Sequence, residues 1–431
     1  MWQRRFLSGS MFEKTTLPNG LRVIAVPHNN TKTVTVLALI GTGSKYETKK
    51  INGLSHFLEH MFFKGTKSRP SALEVTEPID SVGGTFNAFT TEDQTGYFIK
   101  TDARHMNLNL DIVSDIFLNS LFLEQEMAKE KTVVVEEINM RKDNPMVHVW
   151  DLWGQHLYGD QPAGWDIAGT KESVLNLSRQ DLIEYMSHQY VAPHTVLVVA
   201  GNIDEKEVVR KARKLFALMP VSGFKEKQEV REAQKKPEVL VEYRKTDQVH
   251  IALGVRAFPL SHPLRYAQEL MALLLGGMMS SRLFVEIREK LGIAYSINTG
   301  TDINPDTGSL VTSAGIKQDA LEVAIRAILK EYRRLQEEAV SPRELRKVKD
   351  HAIGQSVIAL ESSDAQASFY ATQELLENSV STPEEVYGKI QAVTAGDMKR
   401  LAQEIFQNNF LNLVVLGPFR KKEAFQKLLR L

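Results

Sequence analysis

One arrangement occurs twice in this chain: a helix-forming run, a hairpin carrying a Thr-Gly turn, and then an amphipathic helix with an acidic start. The first hairpin is TFNAFTTEDQTGYFIKT, with Gly96 near its turn. The second is AYSINTGTDINPDTGSLVTSAGI, with Gly308 at its turn, followed by a helix from Asp319 to Glu337. A recurrence of this kind marks a diverged internal duplication and restricts the chain to related halves. Antiparallel strands and helices mix in each half, so the expected class is α+β. The architecture expected is two homologous domains, each a mostly antiparallel sheet packed with helices. A length of 431 residues, too great for one compact core, agrees with that.

Before the first hairpin, FEKTTLPNGLRVIAVPHNNTKTVTVLALIGTGSKYE reads as three strands separated by the turns LPNG and PHNN. The β-branched run from Val34 to Ile40 is the third of them. Helices are expected over 53–64, 71–82 with an interruption at Pro78, 104–119 and 124–143. TVLVVAGNID is a buried strand ending in a turn. Residues 222–238, SGFKEKQEVREAQKKPE, are charged and nearly free of apolar side chains, which reads as a linker. The division expected is therefore 1–221, a linker over 222–238, and 239–431. Beyond the linker, VHIALGVRAF is a strand, and PLRYAQELMALLLGG and FVEIREKLG are helices.

Lys and Arg together number 53, as do Asp and Glu, so the formal charge is zero. Nothing in that balance favours nucleic acid or an acidic membrane as partner. The absence of cysteine excludes disulfides and thiolate metal sites, leaving His, Asp and Glu as the metal ligands available. No run approaches the 18 apolar residues of a membrane span. The opening MWQRRFLSGSMFEK lacks an apolar core for a secretory signal, and its basic part is short for a mitochondrial presequence. Met11 is a second candidate start. The compartment expected is the cytoplasm, or the mitochondrial matrix in a eukaryotic cell.

GLSHFLEHMFFKG, residues 53–65, sets apolar side chains suited to burial beside His56, Glu59 and His60. Burying such polar groups without partners costs a few kcal/mol each. Four residues apart on a helix, His56 and His60 share one face and can chelate one ion. Zinc suits imidazole and carboxylate, and a catalytic zinc keeps one position open for water. Glu59 can reach that water as a base without binding the metal. The order H-x-x-E-H is an inverzincin signature. In EKTVVVEEINMRKD, Glu130 and Glu137 lie two turns apart on one face, near Val133 and Val134, while Glu136 points some 100° away. Glu137 is the expected third ligand, with Glu130 orienting a histidine or water behind it.

These segments resemble the pitrilysin-type inverzincin zinc metallopeptidases. The match is to the processing-peptidase-like branch of bacterial type, similar to the beta subunit of mitochondrial processing peptidase. That family places a glutamate 76 residues beyond H-x-x-E-H, and 76 residues separate His60 from Glu137. Its accessory glutamate falls on Glu130. LPNGLRVI, GGTFNAFTTEDQTGY, YVAPHTVLVVAGNI and GGMMSSRLFVEIREKLGIAYSI extend the resemblance over nearly the whole chain.

The resemblance implies a zinc endopeptidase with one zinc per chain, cutting peptides or unfolded segments inside a clamshell chamber. It makes the first domain the catalytic, zinc-binding one and the second a substrate-binding one. Arg288 and Tyr295, a surface arginine and a half-buried tyrosine on the residues alone, become grips for substrate and oxyanion. Asn87 and Ala88 fall on an edge strand that pairs with extended substrate. LLGGMMSSRLF resembles a glycine loop at the chamber mouth. A homodimer or a homologous sister subunit is implied as partner. The alternative is a non-catalytic structural or partner subunit of the same family. The remaining histidines, His148 and His250 among them, are expected to be surface or capping groups.

Overall fold

The computed structural model describes residues 11–431, so the leading MWQRRFLSGS lies outside the described residues. The chain forms two compact units, each assembled from three segments. The first takes the chain up to Val134, Ile167–Lys227 and Ala359–Thr382; the second takes Val135–Asp166, Gln228–Ile358 and Pro383–Leu431.

In the first unit, β1 (Glu13–Thr16), β2 (Arg22–Pro27), β3 (Thr33–Ile40), β4 (Thr85–Thr90), β5 (Thr95–Asp102) and β6 (Thr195–Gly201) form one sheet. Its order is β1-β2-β6-β3-β5-β4, and β2 with β6 is its parallel pair. The β-branched stretch of β3 is buried along nearly its whole length because β3 is central and covered on both faces. Helices α1 (Leu54–Met61), α2 (Ala72–Asp80), α3 (Met106–Asn119) and the first half of α4 (Glu124–Asp143) also belong here. Pro78 does not interrupt α2, contrary to expectation. A capping box between Ser71 and Glu74 secures the start of that short helix, and Ser81 N–H still bonds to Glu77 O at 2.8 Å.

The second unit contains α5 (Pro145–Tyr158), β7 (Glu238–Tyr243), β8 (Gln248–Arg256), β9 (Ala294–Ile303), β10 (Gly308–Lys317) and β11 (Leu411–Gly417). Its sheet runs β7-β11-β8-β10-β9, with β7 and β11 parallel. The order reproduces β2-β6-β3-β5-β4 strand for strand, so the duplication read from the two hairpins is a duplication of topology. Residues 284–290, expected as an ordinary helix, form a seven-residue π-helix.

A linear division misses how the sheets are covered. Each sheet has two apolar faces, and one face of each is closed by a helix from across the sequence division. Helix Ser363–Glu377 sets Ala367, Tyr370 and Ala371 against Ile24, Leu37 and Val198 of the first sheet. Its polar ties include Asp364 to Lys100 at 2.6 Å and the nearly fully buried Glu374 to Lys14 at 2.6 Å. Reciprocally, α5 sets Val149, Leu152 and Trp153 against Ala252, Val311 and Val414 of the second. The 222–238 stretch is fastened at both ends. His194 stacks on Phe224 at 3.4 Å and Lys227 pairs with Asp93. Further on, the Gln234 amide oxygen accepts from Arg256 and Asn412, each at 2.9 Å.

Two histidines depart from the surface role expected of them. His250 is buried in β8, and His148 is buried between two carboxylates, with Nε2 3.1 Å from Glu242 and Nδ1 3.6 Å from Asp151.

If the covering helix is indispensable, a fragment ending at Lys227 exposes the face formed by Ile24, Leu37 and Val198. We expect it to show no cooperative thermal transition, and co-expression with a chain supplying residues 359–382 to restore one. Cooperative unfolding of the isolated fragment at the full chain's midpoint would overturn this dependence.

Candidate metal centre

The site is built on α1, whose buried face is supplied by Leu54, Phe57, Leu58 and Met61. The helix starts at Gly53, which has φ +94°, and a Cβ there would come within 2.5 Å of Ala168 O. Only glycine fits, and glycine has no side chain with which to cap a helix. The cap comes instead from Glu47. Its carboxylate accepts from Gly53 N–H at 2.7 Å, Ser55 N–H at 2.6 Å and Asn52 Nδ2 at 3.1 Å. A carboxylate at this position also meets the positive end of the helix dipole.

One turn apart, the imidazoles of His56 and His60 turn toward each other, with their Nε2 atoms 3.3 Å apart. Two nitrogens at the usual 2.0–2.1 Å on a tetrahedral zinc lie about 3.3 Å apart, so the pair is already at chelating separation. His60 Nδ1 lies 2.9 Å from Glu130 Oε1. With the proton on Nδ1 and donated to that carboxylate, the Nε2 lone pair is left for a metal. Lys64 reaches the other Glu130 oxygen at 2.6 Å. Burial pushes the Glu130 carboxyl up, but the hydrogen bonds from His60 and Lys64 prevail and hold it below its ordinary range.

Helix α4 passes Val134, where the two units divide, without a break, so Glu137 rides on the same rod as Glu130. Seven residues place it two turns along, about 10 Å. One ligand atom from each of His56, His60 and Glu137 lies within 4.8 Å of the others. Among the described residues this is the single such group of His, Cys, Asp or Glu. The donor set, two imidazoles and a carboxylate, fits zinc. Glu136 is exposed, as expected, whereas Val133 faces outward at 51% exposure and does not join Val134 on the inner stripe.

Glu59 is held by Thr90, the last residue of β4, whose hydroxyl donates to Oε2 at 2.7 Å. The same strand carries Asn87 and Ala88 at the sheet's edge. There the Asn87 side-chain oxygen accepts from Ala88 N–H at 2.9 Å. In the second unit, the Arg288 guanidinium carbon lies 4.8 Å from the Phe284 ring centre and 5.8 Å from that of Tyr295. Two irregularities bring Arg288 and Tyr295 together. Arg288 sits in the π-helix, and Tyr295 falls where Ser296 pairs with Gly315 but Ala294 pairs with Ile316, making it the extra residue of a bulge. Tyr295 is 75% exposed.

Three contributors escaped the sequence reading. Lys64 had a signal, since it lies four residues after His60. Glu47 had a weaker one, as the acid nearest before the helix. Thr90 had none, because only the packing of α1 against β4 brings it to Glu59.

Burial pushes the Glu47 carboxyl up to about 7, against the pull of the Ser55 and Gly53 amides. A group raised in this way binds its proton more tightly folded than unfolded. Its stabilising contribution is complete below about pH 4.5 and is lost as pH rises through about 7. For metal-free protein we expect this group to remove about 3 kcal/mol of stability between pH 4.5 and 8. Denaturant titrations across that range should show a shallower decline in Glu47→Gln; equal slopes in both proteins would refute the assignment.

Residues 22–171 match the family model described as insulinase (peptidase family M16), and 176–351 match the one described as peptidase M16 inactive domain. The uncharacterized zinc protease YmxG of Bacillus subtilis is 34% identical over 408 residues, covering 95% of this chain and 98% of that protein. An uncharacterized zinc protease of Rickettsia bellii is 31% identical, with 94% and 98% covered. The crystal structure of a protease from Helicobacter pylori has a TM-score of 0.87 at 26% identity, covering 94% of this chain and 99% of that one. A peptidase M16 inactive domain from Pseudomonas fluorescens has a TM-score of 0.87 at 16% identity, a likeness of fold. Over nearly its whole length, this chain belongs to the insulinase-type M16 peptidase family.

Proposed function

We propose that the protein is a zinc-dependent endopeptidase acting on peptides and unfolded segments, as a processing-peptidase-like member of its family. The observation that carries this reading is the 3.3 Å separation of the His56 and His60 Nε2 atoms with a Glu137 oxygen beside them. His56, His60 and Glu137 would hold one zinc, and Glu130 would orient His60. Zinc, when bound, supplies Lewis acidity for hydrolysis of the peptide bond. Glu59 takes a proton from the nucleophile's side and returns it to the leaving amine. The open edge of β4, at Asn87 and Ala88, offers main-chain groups to an extended substrate, a mode tolerant of many sequences. Arg288 and Tyr295 grip the substrate and stabilise negative charge on its carbonyl oxygen. The working unit proposed is a homodimer or a pair with a homologous sister subunit, around an enclosed chamber.

Zinc stoichiometry and cleavage of a quenched peptide library test this together. About one zinc per chain is expected, with Glu59→Gln retaining the metal and losing turnover by about 10²–10⁴-fold. Absence of zinc from purified protein would favour the non-catalytic subunit instead. Arg288→Ala is expected to lower turnover with zinc content unchanged; loss of metal from that variant would refute its role.

A further inference from the structure

Glu59 has three rotatable bonds, and a carboxylate that swings among them would present its oxygens to the reaction only part of the time. The group that meets it is unusually well fixed. Threonine is stiff at χ1, so its backbone aims its hydroxyl. Thr90 occupies the last rung of the β4–β5 ladder opposite Thr95, and Thr95 is fully buried with its own hydroxyl bonded to Thr42 O at 2.8 Å. The Thr90 bond to Glu59 Oε2, at 2.7 Å, is therefore anchored in the sheet. Nearby, the buried phenols of Tyr97 and Tyr190 share a hydrogen bond at 3.1 Å. Burial first, and then the Glu59 charge among other neighbours, raises both above the ordinary tyrosine range, so they stay neutral and do not compete for the proton.

We propose that Thr90 is a positioning residue for Glu59: its hydroxyl holds Oε2 and so fixes the direction in which the carboxylate faces during proton transfer in peptide hydrolysis. This rests on the reading of Glu59 as the proton-transferring group. The anchor also has a second consequence. Ala88 and Thr90 lie two residues apart on one edge strand, so their main-chain groups point the same way. Ala88 N–H is bonded to the Asn87 side chain and not to β5, which sets this pair of positions on the open edge. The backbone that would align an extended peptide thus also sets the orientation of the base. Thr90→Val keeps that backbone and the side-chain shape but removes the hydroxyl, so its effect belongs in kcat and not in KM.

The test compares the full-length zinc-loaded parent with Thr90→Val, Thr90→Ser, Glu59→Gln and the double variant Glu59→Gln/Thr90→Val. Turnover of a quenched peptide, zinc content and peptide affinity by fluorescence anisotropy are measured for each. We expect Thr90→Val to lower kcat about 10-fold with KM and zinc content unchanged, and Thr90→Ser to recover most of the loss. In the Glu59→Gln background, Thr90→Val is expected to change neither residual cleavage nor peptide affinity. Equal impairment of the Ser and Val variants, a further loss in the double variant, or a loss confined to KM or zinc would overturn the proposal. Full activity of Thr90→Val beside an inactive Glu59→Gln defeats Thr90 alone. Parent-like cleavage by Glu59→Gln defeats the reading on which it rests.

Discussion

The site depends on holding one short, mostly apolar helix in place from two directions with carboxylates. Glu47 takes the N-terminal amides that Gly53 cannot cap, and Glu130 takes His60 and Lys64 one turn beyond the helix's middle. An eight-residue helix has little stability of its own. Its orientation comes from these hydrogen bonds, charge-assisted at Glu130, and from burial of Phe57, Leu58 and Met61. With both ends fixed, the imidazoles are pre-set at the distance one ion spans, and a metal can bind without reordering the helix. The two carboxylates have opposite electrostatic settings. Burial dominates at Glu47 and raises its carboxyl, whereas the cation and imidazole at Glu130 keep that carboxyl ionised.

Departures from regular backbone gather in the second unit around Arg288 and Tyr295. A π-helix holds one residue more per turn than the local pattern suggests, and a bulge gives one strand a residue without a cross-strand partner. Each device rotates a side chain relative to the regular element. Gly292, with φ +63°, makes the turn between them. Regular structure would have spent Tyr295 on one face of β9; the bulge leaves it largely exposed beside Arg288. In the first unit the corresponding edge strand, β4, is regular; it carries Thr90 at its end and leaves one main-chain edge open.

The folding logic is reciprocal. A sheet covered on one face by its own helices would present Ile24, Leu37 and Val198, or Ala252, Val311 and Val414, to water. Those faces are closed by helix Ser363–Glu377 and by α5, each arriving from beyond the sequence division. The burial of Glu374 and Asp364's bond to Lys100 show that the exchange is fixed by paired charges as well as apolar area. Each half of the sequence therefore lacks part of its own core.

What the sequence determined was local or periodic. The H-x-x-E-H spacing set His56 and His60 on one helical face, and the seven-residue interval set Glu130 and Glu137 on another, because helical period converts spacing into direction. The strands, the twin hairpins and the α+β class followed from alternation and turn chemistry in the same way. The tertiary structure alone decided which distant groups meet. Thr90 reaches Glu59 through the packing of α1 against β4, Glu47 reaches the helix amides through the fold of a loop, and His148 on α5 meets Glu242 on β7. Long-range pairing, a bulge's extra residue and a helix lent across the division leave no period in the sequence, because each is set by the packing of segments remote along the chain.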